Sequence, residues 1–407
     1  AYDTANDNIY VIENWNIIGN HSVLNITIIS GSTDKILKNI TIGYCNCWTE
    51  NNFGENGFYN NIQENIIYDS VNNEIYAAPG WDVNYITVIN GSTNQIIGNI
   101  TVGYMPDGIA YDPTNNNIYV ANLISNNITV ISGYTNKVID NISSIYSPAG
   151  IAYDTANDNI YLTNFASNNV TVISSNTNKI IDNITVGFFP YGLLFDQTNN
   201  KIYVANTLSN NVTVISGITN NVIGNILTGD FLFGFGMTMN SETNTIYVTN
   251  PGLFNIPTGS VLAISGSTDQ LIKNIPVGFW PMALTYDSAN NNIYVADGHL
   301  YLYNGSVVSI YSNNITVISG SKNQVINNIK VASGSDAILY DPANNCLYIG
   351  DDLYPINSGE FYTYNITVLN ISTDYIYNIS LYGNIPGSIQ GDLLNFSFQP
   401  VQMIYNP

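Results

Sequence analysis

The sequence predicts an all-β fold, a single β-propeller of four-stranded antiparallel blades, on three observations. A tyrosine preceded by a branched or leucine side chain recurs eight times, at Tyr10, Tyr76, Tyr119, Tyr161, Tyr203, Tyr247, Tyr294 and Tyr348. The cleanest phrases around it are NIYVANLISNNITVISG (Asn117 to Gly133), NIYLTNFASNNVTVISS (Asn159 to Ser175) and KIYVANTLSNNVTVISG (Lys201 to Gly217). They stand 42 residues apart, the length of one small sheet rather than of a helix pair. Each unit also divides into four short apolar runs bounded by turn residues, and none of them needs a helix.

Within a unit the elements follow in order. The first run, GIAYD (Gly108 to Asp112), leads into DPTNNN, where Asp and then Pro suit a type I turn. The second, IYVAN, is apolar on both faces, as a strand sandwiched between neighbouring sheets must be. The third, ITVIS, passes through GYTNK into the fourth, VIDNI, with Gly, Asn and Thr supplying a tight hairpin. Such a unit buries both faces only by stacking on its neighbours. Radial stacking closes the ring and removes exposed sheet edges. Eight anchors predict eight blades, with seven the alternative count. The expected units are 1–43, 63–103, 104–145, 146–187, 188–229, 230–278, 279–332 and 333–383 in one domain, 1–407, with 384–407 a closing or donated strand.

IYVAN, the literal YVTN at Tyr247 to Asn250, the VTVIS run and the following GxTNxVIxNITVG together resemble the YVTN β-propeller repeat over almost the whole chain. That resemblance implies a propeller of a kind common in archaeal surface-layer and other cell-surface proteins, usually seven-bladed. The chain opens part-way through a first strand, at Ala1-Tyr2-Asp3, and ends on PVQMIYNP (Pro400 to Pro407), a further copy of it. Val401 to Tyr405 is expected to close the first blade, or alternatively to be donated to another molecule.

Composition narrows the function. Eight lysines, no arginine and 29 carboxylates give a formal charge of −21, although only 9% of residues are charged. Nucleic acid and anionic membrane surfaces are therefore excluded as partners, because both require clustered cations. Polarity rests on Asn, Ser, Thr and Tyr, which do not change charge where carboxylates titrate, so an acidic extracellular habitat is expected. No apolar run is long enough to span a bilayer, and a chain opening on Ala without a leader is expected to be a mature secreted form.

Sixteen Asn-x-Ser/Thr sequons point the same way: Asn20, Asn25, Asn39, Asn90, Asn99, Asn127, Asn141, Asn169, Asn183, Asn211, Asn304, Asn314, Asn365, Asn370, Asn378 and Asn395. A composition so rich in Asn, Ser and Thr yields many by chance, and NIT can be a plain outer-strand consensus. Most of the sequons nevertheless fall at the start of the third run or in the fourth, where Asn and the hydroxyl two residues on share a face. Covalent N-glycans are expected at several of them. Three cysteines are too few for a disulfide framework. Cys45 and Cys47 form a candidate disulfide, while Cys346 reads as buried and inert. Zinc at Cys45, Cys47 and His21 lacks a fourth ligand, and Asp351 with Asp352 lacks the spaced array of a calcium loop, so no metal or cofactor is expected.

Loop lengths carry the strongest functional signal. From the repeat Tyr to the third run, units three to five use 9 residues and unit two uses 10, whereas units six, seven, eight and one use 14, 21, 18 and 16. Connections out of units one and eight are also long. All this elaboration is expected on one sector of one face, where repeat proteins place binding surfaces. It holds Trp15, Trp48, Trp81, Tyr301, Tyr303, Tyr311, Tyr354, Phe361, Tyr362 and Tyr364, with Asp297, Asp351, Asp352 and Glu360, a composition suited to protein or glycan contacts or to packing the loops themselves.

No catalytic residue is assigned. The histidines, His21 and His299, match no motif, and Asp69, Asp112, Asp154, Asp196, Asp287 and Asp341 begin turns. The sequence thus predicts an extracellular structural or interaction glycoprotein of a cell surface, associating with itself or with another surface protein. A monomeric glycan-binding propeller comes second and an extracellular hydrolase or lyase third.

Overall fold

The computed structural model describes residues 1–18, 21–45, 66–80, 83–143, 145–229, 232, 234, 236–252, 259–303, 307–312, 314–331, 335–351, 363–373 and 375–382. They form eight four-stranded antiparallel sheets, each built from strands in sequence order, and no helix occurs among them. Blade three shows the pattern: inner strand Pro106–Asp112, then Asn117–Asn122, then Asn127–Ser132, then outer strand Lys137–Ile142. Blade one begins at Tyr2–Asp3 and blade eight ends at Tyr375–Tyr382. The segment expected to close or donate a strand, 384–407, lies outside the described residues.

The second strand explains the stacking. Its alternate residues point to opposite neighbours: Tyr119 and Ala121 pack with Ile160 and Leu162 of blade four, while Ile118 and Val120 pack with Ile86 and Val88 of blade two. An apolar cluster of this kind fills every interface, including that between blades eight and one, where Ile9 and Ile29 meet Tyr348, Ile366 and Val368. The ring is closed. Each such fully buried Ile or Val contributes about 1.5–3 kcal/mol.

Polar clamps fix the angle between blades, and the repeat tyrosine is their centre. Its hydroxyl crosses to the next blade and donates to the residue at the tip of the third hairpin. Tyr119 donates to Asn178 Oδ1 (2.8 Å), Tyr161 to Asn220 (2.5 Å), Tyr203 to Asp269 (2.7 Å) and Tyr348 to Asp34 (2.8 Å), the last sealing the ring. Those acceptors all have φ between 54° and 56°. The left-handed turn admits Asn and Asp most readily, so the residue demanded by the backbone also supplies the acceptor. A second clamp starts from the buried residue ending each inner strand, an aspartate in every blade but the sixth, where Asn240 takes its place. Asp154 accepts the N–H groups of Ala156 and Asn157 at Oδ1 and the Asn157 amide at Oδ2, and that amide also reaches Gly217 of blade five. These aspartates are structural, as their place before a turn implies.

Elaboration takes the form of strand. The insertion of blade seven is a two-stranded hairpin, His299–Tyr303 with Val307–Tyr311, and blade one lengthens its central pair to Asn8–Ile18 and His21–Ser30. Both project from the end of the blade that carries the inter-blade connections.

Candidate functional site

Three surfaces can carry function: the channel, the loop face and the rim. In the channel, inner strands of blades three, four and five approach closely because Gly108 and Gly150 present no Cβ to the neighbouring carbonyls of Ala149 and Tyr191. A cavity of about 270 Å³ opens among Asp107, Tyr111, Tyr153, Tyr191, Leu193 and Met237. Burial pushes the Asp107 carboxyl up to about 7, and burial followed by the charge of Asp107 raises the Tyr191 phenol. The hydroxyls of Tyr111 and Tyr153 donate to Asn116 and Asp158, and the Asp107 carboxyl and Tyr191 phenol in an apolar wall can hold a small ligand with a hydroxyl or amine. Composition gave no sign of Asp107 or Tyr191, since the Pro-x-Gly phrase around them reads as a plain inner strand.

On the loop face, Trp15 lies on the lengthened strand of blade one, Tyr301, Tyr303 and Tyr311 on the extra hairpin, and Tyr364 on Thr363–Asn370 of blade eight. In that hairpin His299 stands opposite Tyr311. Trp48, Trp81, Tyr354, Phe361 and Tyr362 lie outside the described residues, as do Cys47, Asp352 and Glu360. Asp297 departs from the surface role expected for it. It is fully buried at the end of its strand and accepts the Thr316 hydroxyl at Oδ2 (2.7 Å), while Oδ1 has no partner among the described residues. Burial pushes its carboxyl up to about 7, against the opposing hydrogen bonds from Thr316 and the Gly278 backbone. Cys346 is free and buried, and no cluster of metal-ligating groups occurs among the described residues.

The rim is the most regular surface. Seven outer strands carry the same β-bulge, with Leu37, Ile97, Ile139, Ile181, Ile223, Ile272 and Ile326 as the extra residue. Each of these side chains is between 49% and 54% exposed. A bulge at a sheet edge disrupts the ladder that a foreign strand would join. Two residues further on, every blade has an asparagine: Asn39, Asn99, Asn141, Asn183, Asn225, Asn274, Asn328 and Asn378. In blades one to five and seven its Oδ1 accepts a threonine hydroxyl from the adjacent strand, as from Thr129 to Asn141 (3.0 Å) and Thr171 to Asn183 (2.8 Å). The asparagine is thus a structural consensus, and what makes it a sequon is the residue after next. Asn127, Asn169 and Asn211 are held differently, their Oδ1 accepting the amides of Asn122, Asn164 and Asn206. Asn20, Asn304 and Asn395 lie outside the described residues.

No family model matches the chain, and no curated protein matches it. Solved structures do. Hydrazine synthase of Kuenenia stuttgartiensis superposes with a TM-score of 0.59 at 14% identity, covering 79% of this chain and 100% of that one. The dihydro-heme d1 dehydrogenase NirN, in complex with DHE, gives a TM-score of 0.66 at 10% identity over 95% of this chain and 75% of that one. A functionally unknown protein from Desulfotomaculum acetoxidans gives 0.53 at 15% identity over 76% and 94%. At such identities the likeness establishes the fold alone: the chain is an eight-bladed β-propeller.

Proposed function

We propose that this chain is an extracellular structural and interaction glycoprotein of a cell surface, related to the YVTN propellers it resembles. One observation carries the reading. The outer strands of blades one to four place Asn39, Asn99, Asn141 and Asn183 on the rim, with Thr41, Thr101, Ser143 and Thr185 exposed beside them. Threonine hydroxyls occupy each Oδ1, and no protein group among the described residues takes the Nδ2 to which a glycan would attach. The elaborated face then offers protein or glycan contacts, and the scarcity of charge suits a surface exposed to acid. Intact-mass measurement of native material should exceed the bare 44.6 kDa chain, and electron microscopy should show lattices or fibres. A native mass equal to that of the polypeptide, with monodisperse single particles at high concentration, refutes the proposal.

The channel cavity supports a second reading, a monomeric binding propeller. Saturable binding of a small polyol or amine that Asp107→Asn abolishes would favour it, and an unaffected variant would count against it.

A further inference from the structure

Among the described residues no further strand pairs with the eight outer strands, and the chain guards these edges unevenly. Six of its eight lysines lie on these strands: Lys35 and Lys38, Lys137, Lys179, Lys273 and Lys330. Two of the three strands with no charge, Gln95–Thr101 and Tyr375–Tyr382, contain the sequons Asn99 and Asn378. Blade five stands apart. Its outer strand Val222–Leu227 has no charge, no proline and no sequon.

The contrast is sharpest two residues after the common asparagine. There the other seven blades have the sequon hydroxyls of Thr41, Thr101, Ser143, Thr185 and Ser380, then Pro276 and Lys330. Blade five has Leu227, which is 76% exposed, with Val222, Ile223 and Ile218 also exposed on the same rim. Asn211, the nearest sequon, uses its Nδ2 in a hydrogen bond to Asn225 (3.2 Å).

The backbone there is available as well. The Thr228 N–H donates to the Asn210 carbonyl inside the blade (3.0 Å), and Asn225 and Leu227 stand opposite Thr213 and Asn211. Alternation along an antiparallel ladder therefore turns the N–H and C=O groups of Asn225 and Leu227 outward. The bulge at Ile223 blunts the beginning of this edge and leaves its second half regular.

We propose that the outer edge of blade five is a self-association site, pairing antiparallel with the same strand of a second copy about a two-fold axis near Ile226. In that register Asn225 of one copy faces Leu227 of the other, so their outward backbone groups exchange hydrogen bonds and the two leucines become diagonal neighbours. Charge selects the occupant. In this register a lysine at the Leu227 position, such as Lys330 in blade seven, would lie diagonal to its own copy and oppose a like charge, whereas this edge meets itself without that cost. The inference rests on the surface-assembly reading and names the surface it uses.

The test is sedimentation velocity on the full chain with Leu227→Pro and Leu227→Lys, with circular dichroism melts beside it. Both substitutions copy residues that blades six and seven already hold at this position, Pro276 and Lys330, so folding is preserved. Leu227→Pro deletes only an outward N–H. The wild-type chain is expected to dimerise, both variants to weaken the dimer about tenfold or more, and Ile139→Lys on blade three to leave it unchanged. Mixing Leu227→Lys with Leu227→Glu should restore a mixed dimer. A dimer that persists in both variants with unchanged melting overturns the edge while leaving self-association standing. A wild-type chain that stays monomeric also overturns it, and the assembly reading falls too only if native material shows no lattice.

Discussion

Replacing Asp297 by Asn should raise stability at neutral pH and remove part of the dependence of stability on pH. Asp297 takes the place held by Asn122, Asn164 and Asn206 in blades three to five. There the asparagine amide donates to a threonine Oγ1, and that threonine donates onward to an outer-strand asparagine, as in Asn122 to Thr129 (3.0 Å) to Asn141 (3.0 Å). In blade seven Thr316 lies within hydrogen-bond reach of both Asp297 Oδ2 (2.7 Å) and Asn328 Oδ1 (3.0 Å) with a single proton to give. A protonated Asp297 restores the relay by donating to Thr316, whereas an ionised one leaves an acceptor short. Burial raises this carboxyl from 3.8 to about 7 in the folded chain. Its stabilising contribution is therefore fully present below about pH 4 and is lost as pH rises towards 7. Three units of difference amount to about 4 kcal/mol. Thermal melts of wild type and Asp297→Asn from pH 3 to 8 should show the variant gaining on the wild type progressively above pH 4, by up to that amount at pH 7.5. A constant difference between the two across that range would refute the reasoning.

Three further outcomes follow from the same geometry. Tyr161→Phe deletes the hydroxyl shared by Asn220 Oδ1 and the Gly217 carbonyl, and denaturant unfolding should register a loss of about 1–3 kcal/mol without a change of fold. Gly150→Ala drives a methyl against the Tyr191 carbonyl and the Thr163 hydroxyl, where backbone cannot give way, so a lower melting temperature is expected at every pH. Burial, followed by the charges of Asp34 and Asp341, pushes the Cys346 thiol up to about 12. It should resist alkylation at pH 8 in the folded chain and react once the chain is unfolded in denaturant, as mass spectrometry would show.

Much of the fold was legible because each blade is a local sentence: the apolar runs, the Asp before the first turn and the Asn at the hairpin tip all lie within a few residues of what they control. Blade number followed from counting anchors. What the anchor tyrosine does was not legible, since its hydroxyl reaches a residue 59 positions away in Tyr119 and 66 away in Tyr203. The bulge left a signal that went unread. In KVIDNI the adjacent Val138 and Ile139 break the alternation of an edge strand, and an extra residue restores the phase for Ile142. Asp297 was misassigned to the loop surface because proximity to a long insertion outweighed its repeat position, which aligns it with buried asparagines. Asp107 carries no motif at all, and only three inner strands converging on the channel give it surroundings.

The placement of lysine ties the edges to the expected habitat. A chain with 29 carboxylates places them on only two outer strands, as Asp140 and Asp182, whereas five of the eight carry lysine. A carboxylate guard disappears as pH falls through about 4, where the edge would become a neutral template for pairing, whereas an ammonium keeps its charge throughout the acid range. The glycans proposed for the sequons Asn99 and Asn378 would be equally indifferent to pH. The raised carboxyls of Asp107 and Asp297 act in the same sense within the core, since both favour the neutral form that acid supplies. Edge protection and core electrostatics therefore select the same conditions by independent routes. An edge that uses neither guard, as in blade five, is then better understood as a surface kept open for a partner than as an oversight of composition.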